Sequence, residues 1–416
     1  MRRLVGAIGY LSILWLLTSC MPHNPCSSKD RTEMEHGGFS TDEINSACTN
    51  YRISDDFIKA AVQVAQIQLK DLSAAGASQF ASLMSSHNPN YIRVKVFYGT
   101  DRKALIGQYG VTSYGAERGS LAVGVSEVSI PLHHRLGSLE SPSVWKLEFR
   151  PDPAKHVAVL SVSPMSLEHF RTALNGTIPQ PIPRSAFIFI HGYNMSFDDA
   201  LRRTAQIAYD LDFKGIPILY SWPSNGAALD YLADGEQARR AAGYLRSFIE
   251  FVIAKTDLQE VHLIAHSMGN RVLTAALQQP DFQSSPSVIH LGQIALVAPD
   301  IDAEIFTREI APSIIGFGRR LSLYASKHDR ALILSKSLQH YPRAGDLSEV
   351  VTIIDGMDTI DASSVDTSLM GHSYYAENRS VISDLFHLLR TNTPPADRFG
   401  MQPLHASGRR YWRFAP

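Results

Sequence analysis

Residues 263–270, LIAHSMGN, decide how this chain folds. Strand-forming residues lead up to Ser267 and apolar residues at helical spacing follow it, so this serine lies where a strand turns sharply into a helix. Such a turn is crowded, and the residues two before and two after the serine must be small; Ala265 and Gly269 meet that requirement. A serine in this position is either a packing residue or an exposed nucleophile, and this stretch alone leaves both open.

Strand-like and helix-like segments alternate on both sides of this stretch. The compact apolar runs typical of buried strands are AFIFIHG, PILYSW, VHLIAHS, GQIALVAP, RLSLYAS and VVTIID. Between most of them lie helical patterns such as FDDALRRTAQIAYDL and GEQARRAAGYLRSFIEFVIAK. This alternation predicts an α/β fold with a mostly parallel central sheet and helices on both faces. The first strands, from Tyr91 onward, lack intervening helices and predict an antiparallel N-terminal edge.

The hydrophobic pattern divides the chain into five segments, of which only the fourth shows the alternation of strands and helices. They are a signal peptide (1–19), a flexible tether (20–52), an N-terminal helical extension (53–90), the main α/β domain (91–391) and an irregular C-terminal tail (392–416). The tether is assigned because it is polar and lacks a period, and the extension because its apolar residues recur at helical spacing.

The N-terminus is typical of a targeting segment. Arg2 and Arg3 precede the apolar run LVGAIGYLSILWLL, which is too short to favour a membrane-spanning helix. The residues LTSC, ending at Cys20, resemble the lipobox of bacterial lipoproteins, which implies cleavage before Cys20 and a lipid on its sulfur. Because Met21 follows in place of the Asp that signals inner-membrane retention, the resemblance implies the cell envelope, at the outer membrane in a Gram-negative cell. The alternative is an ordinary secretory signal in which Cys20 is incidental.

Charge and cysteine content narrow the possible partners and sites. The 39 Lys and Arg residues nearly balance the 40 Asp and Glu residues, so the chain offers no field to hold a polyanion, and nucleic acid is not expected as a partner. All three cysteines lie in the first 48 residues, so the main domain is expected to contain neither disulfides nor a Cys-based metal site. In an exported protein Cys26 and Cys48 either form a disulfide or remain two free thiols in the tether, and the sequence favours neither.

From about residue 91 to 391 the chain resembles the α/β-hydrolase superfamily. The pieces VFYGTDR, FIHGYN, YSWPS, AHSMGNRVL and LVAPDID are similar to a bacterial branch described only as α/β hydrolases of unknown function. The residues around Ser267 match the nucleophile elbow G-x-S-x-G, with Ala265 in place of the first glycine. The resemblance implies serine-hydrolase chemistry but no substrate, and the same fold also occurs in proteins that hydrolyse nothing.

The resemblance implies a catalytic triad, because a serine hydroxyl needs a base and the base needs an orienting acid. In this superfamily the acid usually follows the second strand after the nucleophile's strand, and the histidine follows the third. Counting RLSLYAS and VVTIID as those strands gives the chain order Ser267, Asp329, His372. Asp300 and Asp302 close the strand before, where a minority of the family places its acid, and they are the alternatives.

Four other histidines are less suited to act as the base. His266 neighbours the nucleophile and cannot fold back to accept its proton. His262 lies within a strand, where a buried structural role is expected. His328 and His340 precede the position at which the family places its base.

A tetrahedral intermediate also needs hydrogen-bond donors for its oxyanion. One is expected from the backbone N–H of Met268, which follows the nucleophile at a helix N-terminus. The second is expected from the Tyr193 N–H in HGYNMSF, which resembles the His-Gly-X segment of the family, with Gly192 allowing close approach of the backbone. The alternative for this segment is a plain turn at the end of a strand.

The sequence therefore predicts a lipid-anchored serine esterase that acts on a small-molecule ester or acyl substrate and uses no metal or organic cofactor. A peptidase or amidase on the same triad is a second interpretation, because ester and amide cleavage need the same groups. A catalytically idle envelope binding module is a third, and the set of triad and oxyanion residues counts against it. In the predicted esterase the lipid anchor would be the contact with the membrane. The sequence does not indicate a protein partner.

Overall fold

The computed structural model describes residues 90–108, 110–142, 148, 150–177, 184–224, 231–364 and 381–415. By internal contacts the chain divides into two units, Met1–His87 and Asn88–Pro416, and the second contains all of the described residues. The predicted signal peptide, tether and almost all of the helical extension, with Cys20, Cys26 and Cys48, lie outside the described residues. His372 also lies outside them.

One eleven-stranded sheet forms the centre of the described part. Its strands are β1 (Tyr91–Gly107), β2 (Gly110–Pro131), β3 (Ala158–Met165), β4 (Ser185–Ile190), β5 (Ile216–Ser221), β6 (Glu260–His266), β7 (Leu291–Val297), β8 (Arg320–Ala325), β9 (Asp358–Asp361), β10 (Met401–Ala406) and β11 (Arg409–Phe414). Their spatial order is β10-β11-β9-β8-β7-β6-β4-β5-β1-β2-β3. Neighbours from β11 to β1 pair in parallel, and β2, β3 and β10 pair antiparallel. The predicted mostly parallel sheet with an antiparallel N-terminal edge is confirmed.

Helices connect most of the parallel strands. Those in the described part are α1 (Leu167–Thr177), α2 (Phe197–Asp210), α3 (Tyr231–Lys255), α4 (Gly269–Leu277), α5 (Pro280–Gln283), α6 (Ala303–Ile305), α7 (Ala311–Ile314), α8 (Arg330–Gln339) and α9 (Val381–Thr391). A π-helical turn, Phe306–Ile310, joins α6 to α7. Ser196 is the N-cap of α2, and its hydroxyl accepts the Asp199 N–H at 3.1 Å. Among the described helices, none is long and apolar enough to cross a membrane.

The central strands are apolar on both faces because each face packs against helices. In β4, Ala186, Ile188 and Ile190 contribute to one buried core, and Phe187 and Phe189 contribute to the other. Helices α1, α3 and α4 cover the first core, and α2 and α9 cover the second. This arrangement explains why the strands read as continuous apolar runs in the sequence.

The strands β4 to β9 end at one edge of the sheet, since all six run in parallel. Ligands of open α/β sheets bind outside this carboxyl edge. The segments that leave it begin after Ile190, Ser221, His266, Val297, Ala325 and Asp361. Ser267 and the segments with the candidate acids therefore lie on the same side of the sheet.

The C-terminal tail is not irregular, contrary to the sequence prediction. β10 and β11 form a hairpin that turns at Ser407 and Gly408, both with positive φ, and β11 pairs in parallel with β9. The Arg413 Nε donates to the Asp361 carboxylate at 2.7 Å. The domain predicted to end at residue 391 therefore includes the last strand of the chain.

The third strand after Ser267 also begins later than predicted. The run VVTIID, residues 350–355, forms no strand, and β9 is Asp358–Asp361. The Thr359 hydroxyl donates to the Thr352 carbonyl at 2.8 Å, so this run lies beside β9 instead of within the sheet. The order of strands is unchanged, and Asp329 still follows the second strand after the nucleophile's strand.

A buried histidine joins the loop after β2 to the end of α2. The His134 side chain is 2% exposed, and its two ring nitrogens lie 2.8 Å from Glu140 Oε2 and 2.8 Å from Asp210 Oδ1. Carboxylates only accept, so both nitrogens must carry protons for both bonds to form. Burial lowers the pKa of His134, but the bonds to Asp210 and Glu140 outweigh burial and raise it to about 9.

This geometry predicts a pH-dependent contribution to stability. Because the folded pKa of His134 exceeds the ordinary value of 6.5, its contribution is fully present below pH 6.5 and is lost as the pH rises through about 9. We expect His134→Gln to lower the free energy of unfolding by about 2 kcal/mol at pH 6 and by progressively less toward pH 10. Urea unfolding at pH 6, 7.5 and 9.5 measures the difference, with the exposed His405→Gln as the control. A loss that stays constant or grows with pH would contradict the doubly protonated ring.

Candidate active site

Ser267 occupies a strained turn between β6 and α4. Its φ is 50°, in the left-handed region that residues other than glycine seldom adopt and that is frequent at functional sites. The Ser267 N–H donates to the Val297 carbonyl at 3.0 Å, which joins the turn to the end of β7. The buried Asn270 donates through Nδ2 to the carbonyls of Ser267 and Val297, both at 3.0 Å. These bonds hold the backbone in a conformation that would otherwise relax.

The small residues beside Ser267 are required by the loop that follows β4. A Cβ on Gly269 would lie 2.4 Å from the His191 carbonyl oxygen and 2.6 Å from that of Ile190. A Cβ on Gly192 would lie 3.0 Å from the Ser267 Cβ. The loop after β4 and the nucleophile turn are therefore packed backbone against backbone, and Gly192 lies directly beside the serine.

The structure brings the two predicted oxyanion donors to the serine. Met268 is fully buried and lies at the N-terminal cap of α4, where the first N–H groups of a helix lack intrahelical partners. Tyr193 follows Gly192, and its ring packs edge to face on Tyr231 with centroids 5.6 Å apart. Ser267, Met268 and Tyr193 thus lie together, at the carboxyl ends of β6 and β4.

Polar residues from β1 and β5 support the loop after β4 from behind. The Trp222 ring stacks on His191 at 5.3 Å, and its Nε1 donates to the His191 carbonyl at 2.8 Å. Arg102, 2% exposed, reaches the far end of the same loop and donates through Nη2 to the Met195 carbonyl at 2.6 Å. The Asn194 N–H donates to Ser224 Oγ at 2.8 Å.

His191 is a neutral ring in a fixed tautomer. Its Nδ1 donates to the Gly192 carbonyl at 2.7 Å, since a carbonyl only accepts. Its Nε2 then accepts, from Arg102 Nη2 at 3.3 Å and from Ser221 Oγ at 3.1 Å. Burial, helped by the charge of Arg102, lowers the pKa of His191 to about 3.

Asp329 lies at the carboxyl edge two strands from Ser267, immediately after β8. It is the N-cap of α8, and its Oδ1 accepts the Leu332 N–H at 3.0 Å. The capping bond fixes the carboxylate at the start of the helix, half-buried beside the segment that leaves β8. Its predicted partner His372 lies outside the described residues, so the structure gives no distance between Asp329 and His372.

The alternative acid Asp300 is fully occupied by other groups. It is 2% exposed, and its two oxygens accept the Tyr231 hydroxyl at 2.6 Å and the Ser335 hydroxyl at 2.5 Å. The guanidiniums of Arg271 and Arg343 lie 3.1 Å and 3.7 Å from the same carboxylate. A carboxylate held by four neighbours joins α3, α4 and α8 and has little capacity left for a catalytic imidazole.

Asp302 and the four histidines set aside in the sequence analysis lie at helix ends, in a turn or within β6. Asp302 caps α6, accepting the N–H groups of Glu304 and Ile305 at 2.9 and 3.0 Å. His340 ends α8 in the left-handed conformation, and the His328 N–H donates to Ser326 Oγ at 3.1 Å. His262 is buried within β6, and its Nδ1 accepts the Gln293 N–H at 2.9 Å, as expected for a structural histidine. Burial lowers the pKa of His266 to about 4, and within the described part its Nδ1 has no hydrogen-bond partner.

Sequence reasoning left the roles of Arg102, Ser221 and Trp222 unassigned. All three fall within the family-like pieces VFYGTDR and YSWPS. Their signal was position: Ser221 ends β5 and Trp222 follows it, and Arg102 lies in β1, shortly after the stretch Phe97–Thr100 that pairs with β5. Without the strand order β4-β5-β1, the sequence does not indicate that these residues lie beside the loop next to Ser267.

Comparisons with known proteins identify the family of this chain. The family described as alpha/beta hydrolase of unknown function (DUF900) matches residues 167–390. An uncharacterised protein of Nostoc sp. strain PCC 7120, alr1448, is 26% identical over a match that covers 26% of this chain and 35% of that protein, so this chain spans about a third of the relative.

Two solved structures are similar at low sequence identity. A protein described provisionally as a cell surface hydrolase of Lactobacillus plantarum WCFS1 has a TM-score of 0.32 at 12% identity, covering 52% of this chain and 95% of its own. A hyperthermophilic esterase of Pyrobaculum calidifontis has a TM-score of 0.30 at 11% identity, covering 52% of this chain and 79% of its own. The family match spans more than half of the chain, from α1 to α9, and includes β4 and the turn at Ser267. The chain belongs to the alpha/beta hydrolase family.

Proposed function

We propose that this protein is a serine hydrolase that cleaves carboxylic esters through an acyl-enzyme intermediate. The observation that carries the proposal is Ser267 at a φ of 50°, held on the turn between β6 and α4 with Gly192 packed against its Cβ. A packing serine would have no need of this conformation, which costs on the order of 1 kcal/mol or more. The turn presents the side chain at the edge of the sheet where ligands bind.

In the proposed mechanism the Ser267 hydroxyl attacks the ester carbonyl carbon while His372 accepts the hydroxyl proton. Asp329 holds the imidazole in the required tautomer and stabilises its positive charge. The N–H groups of Met268 and Tyr193 stabilise the oxyanion. His372 then donates the proton to the leaving alkoxide, and water hydrolyses the acyl-enzyme by the same steps. The sequence of steps needs no metal or organic cofactor.

A fluorophosphonate probe tests whether the protein is an enzyme. The probe phosphonylates an activated serine, so the expected result is one adduct per chain, located by peptide mass mapping on the peptide with Ser267. The absence of an adduct on the folded protein would favour the binding module. Parallel assays with p-nitrophenyl butyrate and a matched p-nitroanilide decide between esterase and amidase, because both substrates release a chromogenic group from the same acyl chain.

We also propose that the enzyme is attached to the cell envelope by a lipid on Cys20, with residues 21–52 as its tether. Support comes from the two leading arginines, the short apolar run and the small residues before Cys20. A single acyl chain binds membranes only weakly, so stable attachment requires the multiple chains of a lipoprotein N-terminus.

The anchor predicts a change of fraction on mutation. We expect Cys20→Ser to move the protein from the membrane fraction to an unprocessed or soluble form, because serine offers no thioether. Cys26→Ser, in the same segment, is the matched control and should leave the protein in the membrane fraction. Mass spectrometry of the mature N-terminus is the direct measurement, and an unmodified N-terminus at any residue other than Cys20 would indicate an ordinary secreted enzyme.

A further inference from the structure

An irregularity of β1 turns Arg102 into the interior of the domain. The pairing of β1 with β2 shifts register on both sides of this residue, between Thr100 and Arg102 and again between Arg102 and Ala104. Such bulges re-aim a side chain and are frequent next to active sites. Across the bulge, a Cβ on Gly119 would lie 2.5 Å from the Arg102 carbonyl oxygen, so the partner strand has a glycine where the bulge needs space.

The guanidinium of Arg102 contacts β5, β2 and the loop that follows β4. It donates through Nε to Ser221 Oγ at 2.8 Å, at the end of β5. It donates through Nη1 to the Gly115 carbonyl at 3.1 Å, on β2. Through Nη2 it contacts His191 Nε2 at 3.3 Å and the Met195 carbonyl at 2.6 Å, at the two ends of the loop that follows β4.

Among the described residues, no carboxylate lies at hydrogen-bonding distance from the buried guanidinium of Arg102. The side-chain partners of Arg102 in the described part are carbonyls, a hydroxyl and a neutral imidazole. Burial lowers the pKa of Arg102 to about 10, and the charges of Asp101, Asp234 and Asp198 oppose that shift. Burying an arginine in this way costs free energy, which a purely structural role would avoid by pairing the charge or by an apolar residue of the same size.

A chain of bonds leads from this arginine to the proposed oxyanion donor. Because Arg102 Nη2 can only donate, it holds His191 Nε2 as an acceptor and leaves the ring proton on Nδ1. His191 Nδ1 then donates to the Gly192 carbonyl. In a trans peptide the carbonyl of Gly192 and the N–H of Tyr193 point in opposite directions, so fixing the first fixes the second.

We propose that Arg102 is the positioning residue of the oxyanion loop, His191–Met195, and sets the direction of the Tyr193 N–H through His191. That the Tyr193 N–H stabilises an oxyanion rests on the proposed function. That Arg102 orders the loop does not depend on it and can be tested without any substrate. Arg102 acts through His191 and the Met195 carbonyl and touches no substrate atom.

The Arg102 guanidinium has several N–H donors in a planar fork as well as a positive charge, and two variants separate the effects of these two properties. Arg102→Lys keeps the charge but loses the fork, and Arg102→Met removes both at similar volume. We expect a loss in kcat of about tenfold for Arg102→Lys and about 100-fold for Arg102→Met, with KM within about threefold of wild type, because a misdirected oxyanion donor weakens the transition state more than the bound ester. Arg202→Met is the matched control, since Arg202 donates to two carbonyls, Val157 at 2.6 Å and Glu140 at 3.2 Å, but contacts no residue of the loop.

Hydrogen exchange reports on the loop without reference to activity. We expect exchange of the amides in the peptide covering residues 191–196 to accelerate about tenfold in Arg102→Lys and further in Arg102→Met, and to be unchanged in Arg202→Met. If Arg102→Met fails to fold, Arg102→Lys and Ser221→Ala, which removes the hydroxyl joined to both Arg102 and His191, give the same readout.

The outcomes separate this inference from the proposed function. Unchanged exchange in the loop of a folded Arg102→Lys or Arg102→Met variant would overturn the positioning role. Faster exchange with an unchanged kcat would show that the loop is ordered by Arg102 but is not the oxyanion loop, which also overturns it. Faster exchange in the variants, with no fluorophosphonate adduct on the wild type, would instead reject the hydrolase and keep Arg102 as the residue that orders the loop.

Discussion

Replacing Ser267 by alanine is expected to reduce hydrolysis of p-nitrophenyl butyrate on the order of 10³-fold or more, while the protein stays folded. The hydroxyl is the only part of the side chain that the proposed reaction uses. The turn itself is held by backbone groups, through the Ser267 N–H to Val297 and the Asn270 side chain to the Ser267 carbonyl, and alanine keeps both. Alanine also occupies the left-handed region at about the same cost as serine.

Steady-state kinetics and a thermal melt of the same preparation measure both halves of this expectation. Ser129→Ala is the control for loss of a serine hydroxyl outside the candidate site, because Ser129 is fully buried on β2 and its hydroxyl donates to the His156 carbonyl at 3.1 Å. We expect Ser129→Ala to lower the melting temperature and leave kcat near wild type. A Ser267→Ala protein with wild-type turnover would remove Ser267 from the mechanism.

The turn at Ser267 was predictable from the sequence because its constraints are local. The strand in front, the helix behind and the small residues at positions 265 and 269 are all within one stretch. The mostly parallel sheet with helices on both faces followed from the same kind of pattern, since buried parallel strands are continuous apolar runs. What the sequence could not supply was the reason for Gly269, which is the close approach of the carbonyls of Ile190 and His191.

The two errors in the fold arise from pairing between residues that are distant along the chain. β11 pairs with β9 through Trp412 and Ile360, and nothing in the tail itself indicates that partner. Likewise VVTIID has strand propensity, but the residues that pair with β8 are Asp358 to Asp361, two of which are aspartates. Tertiary pairing overrides local propensity in both cases, as is common for strands.

The residues that hold the loop of the candidate site could not be predicted from the sequence. Arg102 lies 89 residues before His191 in the chain, and their contact depends on β5 and β1 lying beside β4. A buried arginine cannot be told from a surface arginine by sequence pattern when a bulge sets its direction. The chain order of the candidate serine and the candidate acid was available from the strand count, whereas the residues that hold the loop were available only from the structure.

Asp329→Asn is expected to lower kcat by roughly 10²- to 10⁴-fold, because an amide that donates to the imidazole favours the wrong tautomer. Stability should change little, since asparagine caps helices as well as aspartate does and can keep the bond from the Leu332 N–H. Asp300→Asn should show the opposite pattern. It removes the charge that faces Arg271 and Arg343 in a buried site, so we expect a loss of about 3 kcal/mol in the free energy of unfolding with a smaller effect on kcat.

Asp302→Asn is the matched control for both, because Asp302 caps α6 as Asp329 caps α8, with bonds from the Glu304 and Ile305 N–H groups. An asparagine there should alter neither kcat nor stability by much, which shows that the effect at Asp329 comes from its place after β8 and not from the loss of a capping charge. Urea unfolding and kcat are measured on all three variants and wild type. If Asp300→Asn were the severe kinetic lesion in a stable protein and Asp329→Asn were mild, the acid would follow β7, and the four groups around Asp300 would then have to be read as supports of a catalytic carboxylate.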